Sequence, residues 1–297
     1  MTELLEQLSS ELAARTAALQ GAVAAIRLPR ERHVSAIVWR GDAVLASEQS
    51  LPQREQFDLV LPGGAEAQAR LAGRDAGTNV AVLRLSQPLA PFALASGEAR
   101  SGALAVALGA DGIGAASVRL GLVNHAGPQW HSLAGGLIDR RIALDLRLAR
   151  AEEGGPVFSA AGAFLGMSTL GARSRVLVIP AATLERVVPL LLKEGRVARG
   201  WLGVALHPVA VPDALRGEAG QPSGLMVMSL VEGGPAAKAG VVAGDIVLSV
   251  NDAAASGFRR IAGQFGPDRI GRKAVLRVIR GGTLLSLDAL IEARPAA

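Results

Sequence analysis

The 297-residue sequence predicts a mainly β protein with two domains and an amphipathic helix at the amino terminus. Between Val34 and Val178, short β-type runs alternate with Gly, Pro and Asp, which is typical of an antiparallel sandwich or barrel. From Gly200 onward, further short strands alternate with two helix-like pieces. A chain of this length suits two domains that each bury a core.

The first element is a helix predicted over residues 3–26. Apolar side chains recur there at spacings of three and four residues, with Glu and Arg between them, at Leu4, Leu5, Leu8, Leu12, Leu19 and Val23. This single apolar stripe indicates an amphipathic helix. Such a helix either packs on its own domain or mediates self-association.

The next segment is predicted to form strands over residues 34–39, 43–46, 58–61, 80–85, 103–108, 117–124, 141–146, 162–169 and 175–179. Residues 180–194 follow as a helix that Gly195 ends, and one face of it carries Leu184, Val187, Val188, Leu191 and Leu192. The helix-like pieces of the second domain cover residues 235–239 and 256–265. The predicted divisions are therefore a helix over 1–27, a first domain over 28–195 and a second over 198–297.

Composition excludes several classes of function. The net charge is +5, from 31 basic and 26 acidic residues spread along the chain without an aromatic ladder, so we expect no nucleic-acid binding. The absence of Cys excludes disulfides, thiolate metal sites and a Cys nucleophile. His33, His125, His131 and His207 lack metal-ligand spacing, so neither a metal nor a cofactor is expected.

The amino terminus carries acidic residues, Glu3 and Glu6, where a secretory signal would carry basic ones. The apolar run over residues 19–26 is far shorter than the roughly 20 residues that span a bilayer. We therefore expect no membrane span and a cytoplasmic location, or a periplasmic one if a leader has been removed.

The second domain carries a set of specific motifs. They are Gly200-Trp201-Leu202-Gly203-Val204, Gly234-Pro235-Ala236-Ala237-Lys238-Ala239-Gly240 and Gly244-Asp245-Ile246-Val247. This segment resembles the PDZ domain of HtrA/DegP-type proteases. The resemblance implies that the loop over 200–203 binds a terminal carboxylate and that the strand from Val204 pairs with a peptide. Candidates for the side-chain pocket are Met226, Met228, Ile261 and Phe265, each of which could equally be ordinary core.

The first domain resembles the protease domain of the same family. Residues 44–51 match its strand and turn ending in Thr-x-x-His-Val-Val, residues 77–85 match its Ser/Thr-Asp-Leu-Ala-Val-Leu, and residues 142–156 match its nucleophile loop. The resemblance implies a chymotrypsin-like double β-barrel followed by a PDZ domain, a β-sandwich with two helices. Active members of the family are typically trimers, so the resemblance also implies self-assembly or assembly with an active relative.

The sequence departs from the family pattern at the positions of the catalytic residues. Gln49, Asn79 and Glu153 stand where the family has His, Asp and Ser; these three are called the triad positions below. A triad needs a base, a group that orients it and an attacking hydroxyl, and neither an amide nor an isolated carboxylate replaces them. The resemblance implies that no residue is catalytic.

The loop that forms the family's oxyanion hole is also altered. Ala151, Glu152, Glu153 and Gly154 occupy it, so two carboxylates lie where developing negative charge would need backbone N–H donors. Ala151 also replaces a Gly. One of these carboxylates either binds a cation, such as an Arg of this chain, or reflects drift after loss of catalysis.

Three hypotheses follow for function. The first is an inactive HtrA-like pseudoprotease that binds protein carboxy-termini or extended segments through its PDZ domain as a scaffold, adaptor or regulator. The second is a hydrolase with altered chemistry, in which Ser47, Ser50 or Ser159 would need a relocated base or in which Glu152 and Glu153 would act. The third is a structural subunit whose PDZ groove is permanently filled.

Overall fold

The computed structural model describes residues 2–89 and 92–295. Two compact units account for the chain: Met1–Trp130 with Ile138–Val197, and His131–Leu137 with Ala198–Ala297. Met1, Ala90, Pro91, Ala296 and Ala297, which fall inside the predicted domains, lie outside the described residues, as does the side chain of Leu4.

The first unit begins with helix α1 (Thr2–Leu19) and a 3-10 turn (Gln20–Ala22). The prediction of one helix over 3–26 is wrong beyond Leu19, because Val23 begins a β-strand. Residues 23–26 are all buried, so their apolar run has no exposed face. A fully buried strand and a helix cannot be distinguished by periodicity over so short a run.

Six strands form the first closed barrel: β1 (Val23–Leu28), β2 (Arg32–Val38), β3 (Ala43–Ser47), β4 (Gln56–Val60), β5 (Glu66–Asp75) and β6 (Val80–Leu85). The strand order is β1-β2-β3-β6-β5-β4, and pairing of Ile26 with Leu59 closes the circle. Phe57 and Leu83 fill its interior. Burial of such side chains contributes about 1.5–3 kcal/mol each.

The second closed barrel consists of β7 (Leu104–Ala110), β8 (Ala116–Gly127), β11 (Arg141–Asp145), β12 (Pro156–Ser159), β13 (Phe164–Leu170) and β14 (Val176–Pro180). Its order is β11-β14-β13-β12-β7-β8. A two-stranded sheet of β9 (Trp130–His131) and β10 (Leu137–Ile138) lies between β8 and β11 in the sequence.

A shared core joins the two barrels to helix α2 (Ala181–Glu194). Leu184, Val187, Val188 and Leu191 of the helix are buried in it, as the apolar spacing predicts. Gly195 ends the helix in the left-handed conformation at φ 71°, and its N–H donates to the carbonyl of Leu191 at 3.0 Å.

The second unit contains a sheet in the order β16-β17-β18-β20-β21, formed by β16 (Val204–Ala210), β17 (Ser223–Leu230), β18 (Ile246–Val250), β20 (Lys273–Arg280) and β21 (Thr283–Leu290). Short strands β19 (Ala253–Ala254), β15 (Gly200–Trp201) and β22 (Glu292–Ala293) complete it; β19 pairs with β18, and β15 with β22. Its helices are α3 (Arg216–Ala219), α4 (Pro235–Lys238) and α5 (Phe258–Ile261).

The predicted fold class is confirmed: two β-barrels precede a PDZ-like unit, with an amino-terminal helix. Each predicted strand run has an observed counterpart within a few residues. The sequence did not predict β1, β5, β9, β10, β12 or α3. Strand β5 was missed because polar residues make up half of it, and only Ala69, Gly73 and Asp75 are buried.

Candidate functional site

The structure brings the triad positions together between the two barrels. Gln49 lies in the 3-10 turn after β3, Asn79 directly precedes β6, and Glu153 follows the 3-10 turn Arg150–Glu152. The side-chain amide of Gln49 donates to Oε1 of Glu153, and Oδ1 of Asn79 accepts the backbone N–H of Gln49 at 2.8 Å. The three residues therefore form one connected network.

Oε1 of Glu153 is the centre of that network. Besides the Gln49 amide, it accepts hydrogen bonds from the hydroxyls of Ser47 and Thr169, both at 2.9 Å, and from the N–H of Leu170 at 3.1 Å. The residue is only 6% exposed. Four neutral donors thus stabilise a buried carboxylate, which would be strongly unfavourable without hydrogen bonds.

Asn79 holds the hydroxyls of this network in place. Its Nδ2 donates to Oγ of Ser47 at 3.0 Å and to Oγ1 of Thr169 at 2.7 Å. The backbone of Asn79 has φ 58°, a left-handed conformation that Asn adopts more readily than most side chains. An amide at this position therefore suits both the backbone and the polar contacts.

A cleft remains open beside the network, with a volume of about 700 Å³. Residues of both barrels and of the connecting loops line it: Leu28, Arg32, His33, Val34, Gln49, Ser50, Leu148, Arg150, Ala151, Glu153, Leu170, Gly171 and Ser174. Gln49 and Glu153 thus face the cleft, whereas Asn79 does not line it. The imidazole Nε2 of His33 lies 3.0 Å from the carbonyl oxygen of Ala110.

In the loop over residues 151–154, the N–H groups of Glu152, Glu153 and Gly154 bond to carbonyls of the same unit. The N–H of Glu153, in the loop that forms the family's oxyanion hole, is directed to the carbonyl of Arg150 at 3.4 Å. The N–H of Gly154 donates to Ser168 at 3.0 Å, and the carbonyl of Ala151 accepts the Ser35 hydroxyl at 2.7 Å. These backbone groups therefore hold the loop against the barrels and are not available to a ligand.

The two glycines after Glu153 are required by packing. A Cβ at Gly154 would lie 2.3 Å from the carbonyl oxygen of Ser35, and one at Gly155 would lie 1.9 Å from that of Leu108. Gly154 also has φ 92°, which side-chain-bearing residues rarely adopt. The Gly-Gly pair of this loop is thus explained by the fold without reference to catalysis.

The expectation that the carboxylates of Glu152 and Glu153 lie together at the oxyanion loop is wrong for Glu152. Its side chain turns away from the cleft, and its oxygens accept from Arg119 Nε at 2.9 and 3.2 Å, from the Ser117 hydroxyl at 2.7 Å and from the Ala149 N–H at 2.7 Å. Burial raises the pKa of Glu152, but these hydrogen bonds and the charge of Arg119 outweigh burial, so its pKa lies below the usual value. Adjacent residues on a turn point to opposite sides, which separates the two carboxylates.

A second candidate site is the groove of the PDZ-like unit, with a volume of about 310 Å³. The loop over 200–203, the first residues of β16 and the segment from α5 to Phe265 form its sides. Of the residues predicted from the sequence, it contains Gly200, Trp201, Leu202, Gly203, Val204, Ile261 and Phe265. Leu133, Ala134 and Gly135 of the same unit also line it.

Met226 and Met228 do not line this groove. Side chains alternate across β17, and Val227 faces the groove. Met226 therefore packs on the opposite side, beside a small cluster that includes Ile246 and Leu248, and Met228 is 57% exposed. The sequence motifs did not indicate Val241, Phe258 or Arg294, which line the groove through tertiary packing.

Sequence profiles of known families match both units. The trypsin-like peptidase domain matches residues 34–167, and the PDZ domain matches residues 200–291. A "Probable periplasmic serine endoprotease DegP-like" of Brucella suis biovar 1 (strain 1330) is 31% identical over 263 residues, covering 85% of this chain and 50% of that protein. The chain belongs to the HtrA/DegP-type family.

Solved structures show the same architecture. The HtrA-type protease AlgW with a decapeptide has a TM-score of 0.74 and 25% identity, over 96% of this chain and 99% of that one. AlgW with a tripeptide has a TM-score of 0.73 and 27% identity, over 96% and 98%. The HtrA-type chain spans about half the length of the curated relatives that it matches.

The expectation of a cytoplasmic location is wrong. HtrA-type relatives from Brucella suis, Bartonella henselae and Pseudomonas putida are all named periplasmic serine endoproteases, which points to the periplasm. Within residues 2–89 and 92–295, no helix has the length and apolar character needed to cross a membrane. The same residues contain no cluster of three or more His, Asp or Glu side chains that could hold a metal ion.

The Glu152–Arg119 contact of this HtrA-type chain generates a stability prediction. Because the folded-state pKa of Glu152 is depressed, its stabilising effect is present above the unfolded pKa, about 4.5, and is lost as the pH falls through the lower folded value. Glu152→Gln should therefore reduce the free energy of unfolding by about 1–3 kcal/mol at pH 7 and by progressively less below pH 4.5. Urea unfolding at a series of pH values measures this difference.

The matched control is Glu98→Gln, because Glu98 also pairs with an arginine, Arg140, but is 77% exposed. We expect it to change the free energy of unfolding by less than about 0.5 kcal/mol. An equal loss in Glu152→Gln at pH 3 and pH 7 would show that its charge is not what stabilises the fold.

Proposed function

We propose that this HtrA-type chain is a catalytically inactive pseudoprotease that binds protein carboxy-termini or extended segments through its PDZ domain. It would act as a scaffold, adaptor or regulator. The observation that carries the proposal is the network at the triad positions, where Oε1 of Glu153 accepts from Gln49 and from two buried hydroxyls. The curated relatives are named serine endoproteases, so the proposal rests on this chain's own residues.

The first argument concerns proton transfer. Serine-protease chemistry needs an imidazole that takes the proton of the attacking hydroxyl. At the position of that imidazole, Gln49 has an amide that does not titrate near neutral pH, and its Nε2 is a donor to Glu153. At the position of the nucleophile, Glu153 presents a carboxylate that is already engaged.

The alternative of an altered hydrolase needs an accessible hydroxyl beside a base. Ser47 and Thr169 are hydrogen-bonded to Glu153, but they are 1% and 5% exposed and neither lines the cleft. Ser50 lines the cleft, yet its hydroxyl contacts no base among the described residues. His33 lines it as well, and the only hydrogen bond of its side chain among the described residues is to the Ala110 carbonyl. These contacts favour binding over hydrolysis.

Peptide capture is supported by the free edge of β16. This strand is the first in the sheet order β16-β17-β18-β20-β21, so among the described residues only one of its edges is paired. Val204 and Leu206 extend along the groove from the loop over 200–203. An extended peptide can add to such an edge as a further strand, with its side chains in the apolar pocket. The relative AlgW has been solved with a decapeptide and with a tripeptide.

The alternative of a structural subunit with a permanently filled groove has less support. No described segment of this chain pairs with the outer edge of β16. The groove also retains a cavity of about 310 Å³. Both observations favour exchange of peptides over a fixed internal occupant.

Assembly with a second copy is a further part of the proposal. In the first unit, Leu5 and Leu8 of α1 are 64% and 48% exposed. Val118, Leu120 and Leu122 of β8 lie on one face of their strand and are 44%, 51% and 42% exposed. Each copy thus offers an apolar helix segment and an apolar strand face that could cover each other, and exposed apolar patches of this kind mark interaction sites.

The proposal predicts an absence of proteolysis. Purified protein should hydrolyse casein or a fluorogenic peptide no faster than the variant Glu153→Ala, because neither has a base and nucleophile pair. The single change Glu153→Ser should also remain inactive, since Gln49 still cannot accept the hydroxyl proton. If the wild type hydrolyses either substrate and Glu153→Ala abolishes that hydrolysis, the proposal of a binding function without catalysis is rejected.

A second prediction concerns the groove. Gly203→Trp should weaken binding of a fluorescein-labelled peptide with an apolar carboxy-terminus by at least tenfold, measured by fluorescence anisotropy. Gly203 lies at φ 76°, and even a Cβ there would approach the Trp201 ring to 3.1 Å. The matched control is Gly220→Trp, a glycine at φ 71° with open space around it, which should bind as the wild type does. Equal loss in both variants would attribute the effect to backbone strain.

A third prediction concerns assembly. Sedimentation velocity should show an oligomer for the wild type and a smaller species for Leu120→Glu, because a charge in an apolar interface is unfavourable. The control is Val275→Glu, a similarly exposed apolar residue, 45%, in the second unit. A wild-type monomer at all concentrations tested would contradict assembly but leave peptide capture unaffected.

A further inference from the structure

The cleft of the first unit is lined by two arginines that have no acidic partner among the described residues. Arg32 and Arg150 both line it and are both exposed. The side chain of Arg150 makes no hydrogen bond or ion pair with a described residue. Arg32 uses only its Nε, which donates to the carbonyl of Pro29 at 3.3 Å. Both guanidinium groups therefore keep N–H donors for a ligand.

Exposed arginines elsewhere in the same unit are paired with carboxylates. Arg27 contacts Glu66 at 2.6 Å, and Arg84 contacts Asp42 at 2.6 Å. The fold thus balances the charge of these arginines within the chain. At the cleft it supplies no such partner, so the positive charge there is left for another molecule to neutralise.

The segments that form this part of the cleft carry further positive charge. Residues 29–33, 147–150 and 171–175 each contribute at least one lining side chain. They also carry four more exposed arginines that form no ion pair among the described residues, namely Arg30, Arg147, Arg173 and Arg175. Glu31 is the single acidic residue of these segments. Such a local excess of one sign attracts ligands of the opposite charge.

The remaining lining of the cleft favours a polypeptide over a nucleic acid. Leu28, Val34, Leu148 and Leu170 line it together with the two arginines. No Phe, Tyr or Trp is among the described residues that line it, so bases would find no aromatic ring on which to stack. An extended segment with both acidic and apolar side chains matches this mixture of surfaces.

One negative charge also faces the cleft. Glu153 is the only acidic side chain among its described lining residues, and it is 6% exposed. Its Oε1 accepts hydrogen bonds from Gln49, Ser47, Thr169 and the N–H of Leu170. Acidic side chains of a ligand would therefore contact the exposed arginines and stay away from this buried carboxylate.

We propose that the cleft of the first unit binds an acidic, extended segment of a partner protein, whose carboxylates contact Arg32 and Arg150. A guanidinium and a carboxylate form a charge-assisted, fork-shaped contact that a neutral amide does not reproduce. Every residue used here belongs to the first unit. The inference therefore goes beyond the proposed capture of peptides by the PDZ domain and does not depend on it.

The test compares two short fluorescein-labelled peptides, both with a carboxy-terminal amide, on the full-length chain. In the first, Asp alternates with Leu; in the second, Asn replaces every Asp. Fluorescence anisotropy should show that the wild type prefers the acidic peptide by roughly tenfold. This preference should fall as the ionic strength is raised, because salt screens charges at exposed sites.

Arg32→Gln and Arg150→Gln should each weaken binding of the acidic peptide by about threefold to tenfold and leave the Asn peptide unchanged. The matched control is Arg70→Gln, which removes the same charge. Arg70 is exposed and unpaired among the described residues of the same unit and does not line the cleft. It should bind the acidic peptide as the wild type does. Equal losses in all three variants would attribute binding to net charge and reject the site.

Three further outcomes would overturn the proposal. The wild type binding both peptides equally would remove the role of charge and leave capture by the PDZ domain untouched. An equal loss of the acidic peptide in Gly203→Trp would place that peptide in the PDZ groove. Tighter binding of a fluorescein-labelled oligothymidine than of the acidic peptide would identify the ligand as a nucleic acid.

Discussion

A buried carboxylate oxygen, Oε1 of Glu153, accepts hydrogen bonds from both barrels of the trypsin-like unit. Ser47 and Gln49 belong to the first barrel, and Thr169 and Leu170 to the second. A carboxylate that is only 6% exposed is tolerated because its surroundings supply these donors. The network therefore fixes the geometry of the barrel interface as well as the floor of the cleft.

In the function that we propose, this network takes the place of a His, Asp and Ser triad in an HtrA-type fold. The same strand ends that would converge on a catalytic centre converge here on a set of hydrogen bonds that stabilise the interface. Gly154 and Gly155 are needed because their backbones touch Ser35 and Leu108. Glu152, on the other side of the turn, is held by Arg119. The N–H groups of Glu152, Glu153 and Gly154 in this loop are used for structure, which is consistent with the binding function that we propose.

In the PDZ-like unit, by contrast, some backbone hydrogen-bonding groups have no partner among the described residues. Its loop leaves the N–H groups of Leu202 and Gly203 unused among the described residues, and the adjoining strand β16 has an unpaired edge. Unused donors and an open strand edge are features that a ligand can satisfy. The side chains of Gln49 and Glu153 at the cleft are hydrogen-bonded to each other, whereas the donors at the groove are unused among the described residues, and this contrast supports the proposed binding role of the second unit.

The sequence by itself determined the family, the fold class and the positions of most strands, because local apolar patterns and short motifs carry that information. It could not separate the buried strand at Val23 from the helix before it, since a short apolar run has no distinguishing period. Only the tertiary structure decided that Glu152 and Glu153 face opposite ways, that Met226 and Met228 lie outside the groove, and that Arg294 lies within it. Those outcomes depend on side-chain direction and on contacts between residues distant in sequence, such as Gly200 with Ala293, which no local pattern encodes.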